Sequence, residues 1–307
     1  MDARLSLPEG LTVRPATAED ADAITALIGA CELDADGVAE VDLDDVLMGF
    51  GRAGFDPATD MVLVHDGERL VGWAEVYKGR AEADVHPDLR RRGLGASILA
   101  WTETRALELG SRDVGQTKTD NDTAATELFR HGGYEPTHTS WILQVRFDEG
   151  PPPPSAPPEG ITLRPYDPAR DERGVHRLID DAFCEWPGRE PWSFEEWAPL
   201  VIRHGAFAPE LSPLAFDGDE LVGAALSFDY EDAGEGWIQQ LATKATHRHR
   251  GIARALLQHA FGDFYARGER ACGISTDSRT GALGLYERVG MRVRRSYTRH
   301  TKTLSTG

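Results

Sequence analysis

The feature that most constrains this chain is an internal repeat. Gly93 and Gly251 stand 158 positions apart, each inside a basic run, Arg90-Arg91-Arg92-Gly93-Leu94-Gly95 and Arg248-His249-Arg250-Gly251-Ile252-Ala253. Four other pairs keep nearly that spacing in the same order. Arg14-Pro15 and Arg164-Pro165 are 150 apart, and Leu70-Val71-Gly72 and Leu221-Val222-Gly223 are 151 apart. Leu128-Phe129 and Leu285-Tyr286, like Gly133-Tyr134 and Gly290-Met291, are 157 apart. Ordered matches at a slowly drifting offset mean two copies of one unit. The 307 residues suit two domains of ordinary size. The run Pro151-Pro152-Pro153-Pro154-Ser155-Ala156-Pro157-Pro158 favours a stiff polyproline spacer. The expected division is therefore 1–148, a linker at 149–160, and 161–307.

Each half alternates strand and helix signals. Trp237 to Thr243 carries β-branched and aromatic residues and reads as a strand. Beyond the basic run, Ile252, Leu256, Leu257 and Ala260 recur at helical spacing. Asp66-Gly67 and Asp217-Gly218 sit between strand-like runs, as hairpin turns do. The basic run thus lies between a strand and a helix. There a glycine lets the backbone approach a ligand, and the first-turn N–H groups and the helix dipole face outward. That makes an anion site, with a pyrophosphate as its natural guest. The spacing matches neither the Walker nor the dinucleotide fingerprint.

Arg-x-x-Gly-x-Gly/Ala between a strand and a helix resembles the acyl-CoA-binding motif of the GCN5-related N-acetyltransferases, the GNAT superfamily. Tandem members of the mycothiol synthase kind share this layout. The first copy also has the Val85-His86-Pro87 lead-in of that family. The resemblance implies an α/β (α+β) protein of two tandem GNAT folds, each a mixed, mostly antiparallel twisted sheet flanked by helices. It implies acetyl-CoA as donor and the primary amine of a small molecule as acceptor. Carried onto this sequence, Leu241, Ala242, Thr243, Arg248, His249, Arg250, Gly251, Ile252, Ala253, Arg254 and Ser278 would hold the donor in the second half. Val85, Arg90, Arg91, Arg92, Gly93, Leu94, Gly95, Ala96 and Asn121 are their counterparts in the first. Tyr286, in Ala282-Leu283-Gly284-Leu285-Tyr286, takes the family's role of protonating the departing sulfur, although core packing would also suit it. The first half has Phe129 there, which has no proton to give, so the second half is expected to be the catalytic one. Glu235 is the nearest acidic candidate for a base, with Gln239 and Gln240 available to position water.

The segment Cys184 to Trp197 carries three Trp and four Glu. In the family this part lids the acceptor. Trp186, Glu190 and Trp192 are the expected substrate contacts, with a packed helix pair as the other reading. A formal charge of −18 disfavours nucleic-acid binding. Three scattered cysteines, Cys31, Cys184 and Cys272, point to no disulfide framework, and no residue spacing suggests a metal site. The N-terminus, Met1-Asp2-Ala3-Arg4, has no apolar signal core, and no long apolar span occurs, so a soluble cytoplasmic protein is expected. A non-catalytic acyl-CoA-binding or regulatory protein is the competing reading. Monomer and homodimer are both left open.

Overall fold

The computed structural model describes residues 5–154, 156–186, 189–230 and 234–305. The chain forms two compact units. The first comprises residues 1–139 and 297–307, and the second residues 140–296.

The first half of the sequence runs β1 (Leu11–Arg14), α1 (Ala21–Asp36), α2 (Leu43–Phe50), α3 (Pro57–Asp60), β2 (Met61–Asp66), β3 (Arg69–Tyr77) and β4 (Arg80–Val85). It continues with α4 (Leu94–Glu108), β5 (Asp113–Thr119), α5 (Thr123–His131) and β6 (Glu135–Arg146). The second half repeats this as β7 (Ile161–Pro165), α6 (Glu172–Phe183), α7 (Phe194–Leu200), β8 (Pro213–Asp217), β9 (Glu220–Asp229) and β10 (Gly236–Thr243). Then come α8 (Ile252–Arg267), β11 (Ala271–Asp277), α9 (Leu283–Arg288) and β12 (Arg292–Thr303).

Unit 1 orders its strands β1-β2-β3-β4-β5-β12, antiparallel except for the parallel β4–β5 pair. Unit 2 orders its strands β7-β8-β9-β10-β11-β6, antiparallel except for β10–β11. The division at 148 and 161 expected from the sequence is therefore not how the compact units form. Tyr297–Thr303 of β12 pairs with β5, and Ser140–Arg146 of β6 pairs with β11. Each unit takes its closing strand from the other half of the sequence. The physical cause is that β5 and β11 each need an antiparallel neighbour to cover an open edge, and two copies of one fold offer interchangeable closing strands.

The repeat extends to single contacts. Arg14 makes two bonds to the Asp20 carboxylate, at 2.8 and 2.5 Å, and Arg164 makes two to Asp171, at 2.6 and 2.8 Å. The Arg14 guanidinium holds the Asp20 carboxyl down at about 2. Gly72 and Gly223 mark where a helix lies hard against the sheet. A Cβ on Gly223 would stand 2.9 Å from Ile252 and 3.0 Å from Leu256, and one on Gly72 would stand 3.1 Å from Ile98. Ile252, Leu256, Leu257 and Ala260 are buried in the unit 2 core, as their spacing predicts. Each large apolar side chain so buried contributes roughly 1.5–3 kcal/mol.

Candidate active site

The site in unit 2 begins with a strand irregularity. β10 pairs with β9 along its length but slips register between Ile238 and Gln240. On its other side it pairs with β11 only from Gly236 to Ile238, against Cys272 to Ile274. Beyond that the strands part. Gly273 permits this arrangement at the base, because a Cβ there would lie 2.6 Å from the Trp237 ring. The opening is a cleft of about 750 Å³. It is lined by Gln239 to Thr243 on one side and Ile274 to Asp277 on the other, with the start of α8 at its mouth.

The turn entering α8 is built for an anion. His249 has φ +62° and Gly251, the residue capping the helix, φ +86°. Such values suit Gly and strain a β-carbon. No side chain caps this 16-residue helix, so the N–H groups of its first turn stay open at the positive end of the dipole. Of the residues expected to hold the donor, Leu241, Ala242, Thr243, Arg248, His249, Gly251, Ile252, Ala253 and Arg254 line the cleft. Arg254 is exposed there, without an ion pair among the described residues. Arg248 is engaged: its Nε donates to the Thr243 carbonyl at 3.2 Å, and its guanidinium makes two bonds to Glu185, at 2.6 and 2.9 Å. Arg250 is not at the cleft; Asp217 draws it aside at 3.1 Å.

Tyr286 sits on α9, 6% exposed, and borders the same cleft. Burial pushes its hydroxyl up to about 12, and the Thr276 side chain pulls the other way. Thr276 and Thr280 share a hydrogen bond of 2.9 Å beside it.

Several expected residues are elsewhere. Glu235 precedes β10 at the closed end of the splay, 3.4 Å from Arg294, and does not line the cleft. Ser278 is exposed beyond the end of β11 and also lies outside it. Of the segment 184–197, Pro187 and Gly188 fall outside the described residues, as do Glu231 to Ala233 before Glu235 and the N-terminal Met1 to Arg4. Trp186 lines the cleft, stacked on Phe183 at 4.4 Å. Trp192 does not: its N–H donates to Asp180, its carbonyl accepts from His176, and Arg189 lies 4.3 Å over its ring. Glu190 is exposed and also off the cleft. Ser140, Phe183, Thr276 and Arg288 join the lining without having been singled out. Ser140 had no signal, because it arrives on the exchanged strand β6.

Unit 1 repeats the backbone with different contents. Arg91 has φ +62° and Gly93 φ +88° before α4, and β4 pairs with β5 only at Arg80 and Ala81. The cleft between them is about 270 Å³. Val85, Arg90, Arg91, Gly93, Gly95 and Ala96 line it; Arg92 is exposed and Leu94 buried in the core, both off the lining. An ion pair between the half-buried Lys118 and the buried Asp84 bridges the two strands. Burial pushes the Asp84 carboxyl up, against the pull of Lys118. The matched positions in unit 2 are Ala242 and Ser275. Arg90 is held by Asp34 at 2.7 Å and Asp122 at 3.5 Å. Asn121 donates to Asp36 at 2.7 Å and does not line this cleft. Phe129 is buried at its floor against Tyr134 and His300.

Among the described residues no His, Cys, Asp or Glu cluster could hold a metal, and no helix is long and apolar enough to cross a membrane. The three cysteines are free thiols.

Comparison with known proteins agrees with this geometry. The family model described as Acetyltransferase (GNAT) family matches residues 21–134 and again 173–291. A mycothiol acetyltransferase of Thermobispora bispora is 27% identical over 89% of this chain and 93% of its own length. The crystal structure of a GCN5-related N-acetyltransferase from Sphaerobacter thermophilus is 34% identical, with TM-score 0.80 over 98% of both chains. A tandem GNAT protein from the clavulanic acid biosynthesis pathway, at 15% identity and TM-score 0.69 over 97% of this chain and 99% of its own, shares the fold. Two copies of one family's fold, one of them with an open cleft bordered by a tyrosine, make this chain a tandem member of the GNAT family and an N-acetyltransferase.

Proposed function

We propose that unit 2 transfers the acetyl group of acetyl-CoA to the primary amine of a small molecule by direct attack in a ternary complex, and that unit 1 takes no part in the chemistry. The observation that carries this is one cleft in which parted strands, an uncapped helix start and the Tyr286 hydroxyl meet. The pyrophosphate would sit on the first-turn N–H groups of α8, with Arg254 and His249 beside it. The parted edge of β10 would hold the pantetheine and the thioester carbonyl through backbone groups. The amine nitrogen attacks the carbonyl carbon, the C–S bond breaks, and the sulfur takes the Tyr286 proton. Held well above neutrality, that hydroxyl still carries its proton when it is needed. With Glu235 off the cleft, the ammonium proton passes to water. The mycothiol acetyltransferases among the relatives support a small-molecule acceptor.

Calorimetric titration of acetyl-CoA into wild type, Gly93→Glu and Gly251→Glu tests the assignment. Each substitution puts a carboxylate where a pyrophosphate would lie. Wild type should bind one equivalent, Gly251→Glu none, and Gly93→Glu one. Loss only in Gly93→Glu would reverse the roles of the units.

A further inference from the structure

Two glutamines on the parted strand are held by tryptophans. The Trp197 indole Nε1 donates to the Gln240 side chain at 2.9 Å, and the Trp237 indole Nε1 donates to Gln239 at 3.0 Å. An indole N–H is a donor only, so the glutamine atom facing it is the carbonyl oxygen Oε1 in both cases. Chemistry therefore fixes the amide orientation that coordinates alone leave open. Trp197 is 2% exposed in a packed core of α6, α7 and the sheet, so it cannot follow a turning amide. Both glutamines line the cleft, and neither Nε2 group has a partner among the described residues. These two side chains offer the cleft amide N–H donors.

The carboxylates around the cleft are committed. Glu185 is bound to Arg248, Asp277 to Arg279, and Glu196 caps α7 through Ser193. Glu190 is off the cleft. The basic side chains Arg254 and Arg288 line it without ion pairs among the described residues. An acceptor carrying extra positive charge would meet Arg254, Arg288 and the amide donors, and the one carboxylate in the lining, Asp277, is already paired with Arg279.

We infer that Gln240, positioned by Trp197, is a specificity-determining residue that donates to an oxygen of the acceptor, so that the acceptor is an amine bearing hydroxyl or carbonyl groups and not a polyamine or a lysine-rich peptide. A donor that loses its water to the bound acceptor and finds no oxygen there penalises the wrong substrate, which is how such a wall selects. The inference rests on the donor reading given under Proposed function.

The test is steady-state thiol release from acetyl-CoA with four acceptors: glucosamine, serinamide, spermidine and an N-terminally blocked lysine peptide. It uses wild type and Gln240→Glu. Glutamate keeps an oxygen for Trp197 but presents a second oxygen to the cleft. Wild type should show a KM for glucosamine or serinamide about tenfold or more below that for spermidine and the peptide. Gln240→Glu should raise the former about tenfold and narrow the preference, with the KM for acetyl-CoA and the thermal midpoint unchanged. Wild-type preference for spermidine or the peptide overturns the inference even if the variant does not fold, as does an unmoved acceptor KM in a folded variant. Acetyl-CoA binding without turnover of either oxygen-bearing amine overturns it and leaves the donor reading standing. Absence of acetyl-CoA binding overturns both.

Discussion

The two clefts share a backbone, and three of their side-chain differences bear most on the chemistry. Both are entered by a turn with two left-handed residues, Arg91 and Gly93 in one unit, His249 and Gly251 in the other. Both lie between parallel strands that pair briefly and then part. Yet unit 1 places Asp84, Lys118 and Phe129 where unit 2 places Ala242, Ser275 and Tyr286. The first two turn an open splay into one bridged by an ion pair, and the third replaces the hydroxyl proposed as proton donor with a phenyl ring. Under the proposed assignment, the turn motif reports the fold, whereas the residues across the splay report whether the fold is used.

The largest expected effect comes from breaking that closure. Lys118→Ser leaves the Asp84 carboxylate buried without its partner, which costs about 3–5 kcal/mol. Asp84→Ala together with Lys118→Ser removes both charges and should recover most of that loss, because the pair's attraction is largely offset by its desolvation. Urea unfolding of the single and double variants measures the difference. If the single variant is as stable as wild type, the bridge is not what closes unit 1.

How much of this was legible in the sequence follows the same contrast. The repeat, the two turns and Tyr286 were visible because each is carried by residues close together in the chain, such as Leu285-Tyr286 and Arg248 to Ala253. The ion pair joins positions 34 apart, and each partner alone reads as an ordinary surface charge. The strand exchange left no trace, because β6 and β12 satisfy the same pattern in either unit, and with it Ser140 was hidden. In the segment 184–197, composition marked the region but not the facing. Trp186 reaches the cleft while Trp192 is tied to Asp180 and His176. Glu235 misled because proximity in sequence to β10 says nothing about which end of the strand opens.

Next in size is the proposed proton donor. Tyr286→Phe should lower kcat about 100-fold with little change in the KM for acetyl-CoA, whereas Phe129→Tyr should add no activity. The pH dependence has a definite sign. Tyr286 in the native protein is held up to about 12, so the acid is present below that pH and lost as pH rises through it. A descending limb of kcat below about pH 10 therefore cannot come from Tyr286. Because the unfolded tyrosine titrates near 10, its burial also withdraws stability as pH rises from about 10 towards the native value. A limb near pH 8 that disappears in Tyr286→Phe would show that the hydroxyl is not buried as described.

The smallest effect tests the one restraint that both turns share. Arg248 is held by Glu185 just after α6, and the matched Arg90 by Asp34 near the end of α1. Both pairs are partly exposed to solvent, so neither adds much to stability. In unit 2, however, Glu185 competes with any phosphate for the same guanidinium. Glu185→Gln should release Arg248 and tighten acetyl-CoA binding about two- to threefold, more at low salt than at high, since the competing attraction is screened. Asp34→Asn should leave acetyl-CoA binding unchanged under the proposal that only unit 2 takes the donor. Tightening in Asp34→Asn as well would mean that Asp84 and Lys118 part to admit the donor, and the contrast between the units would then be one of affinity alone.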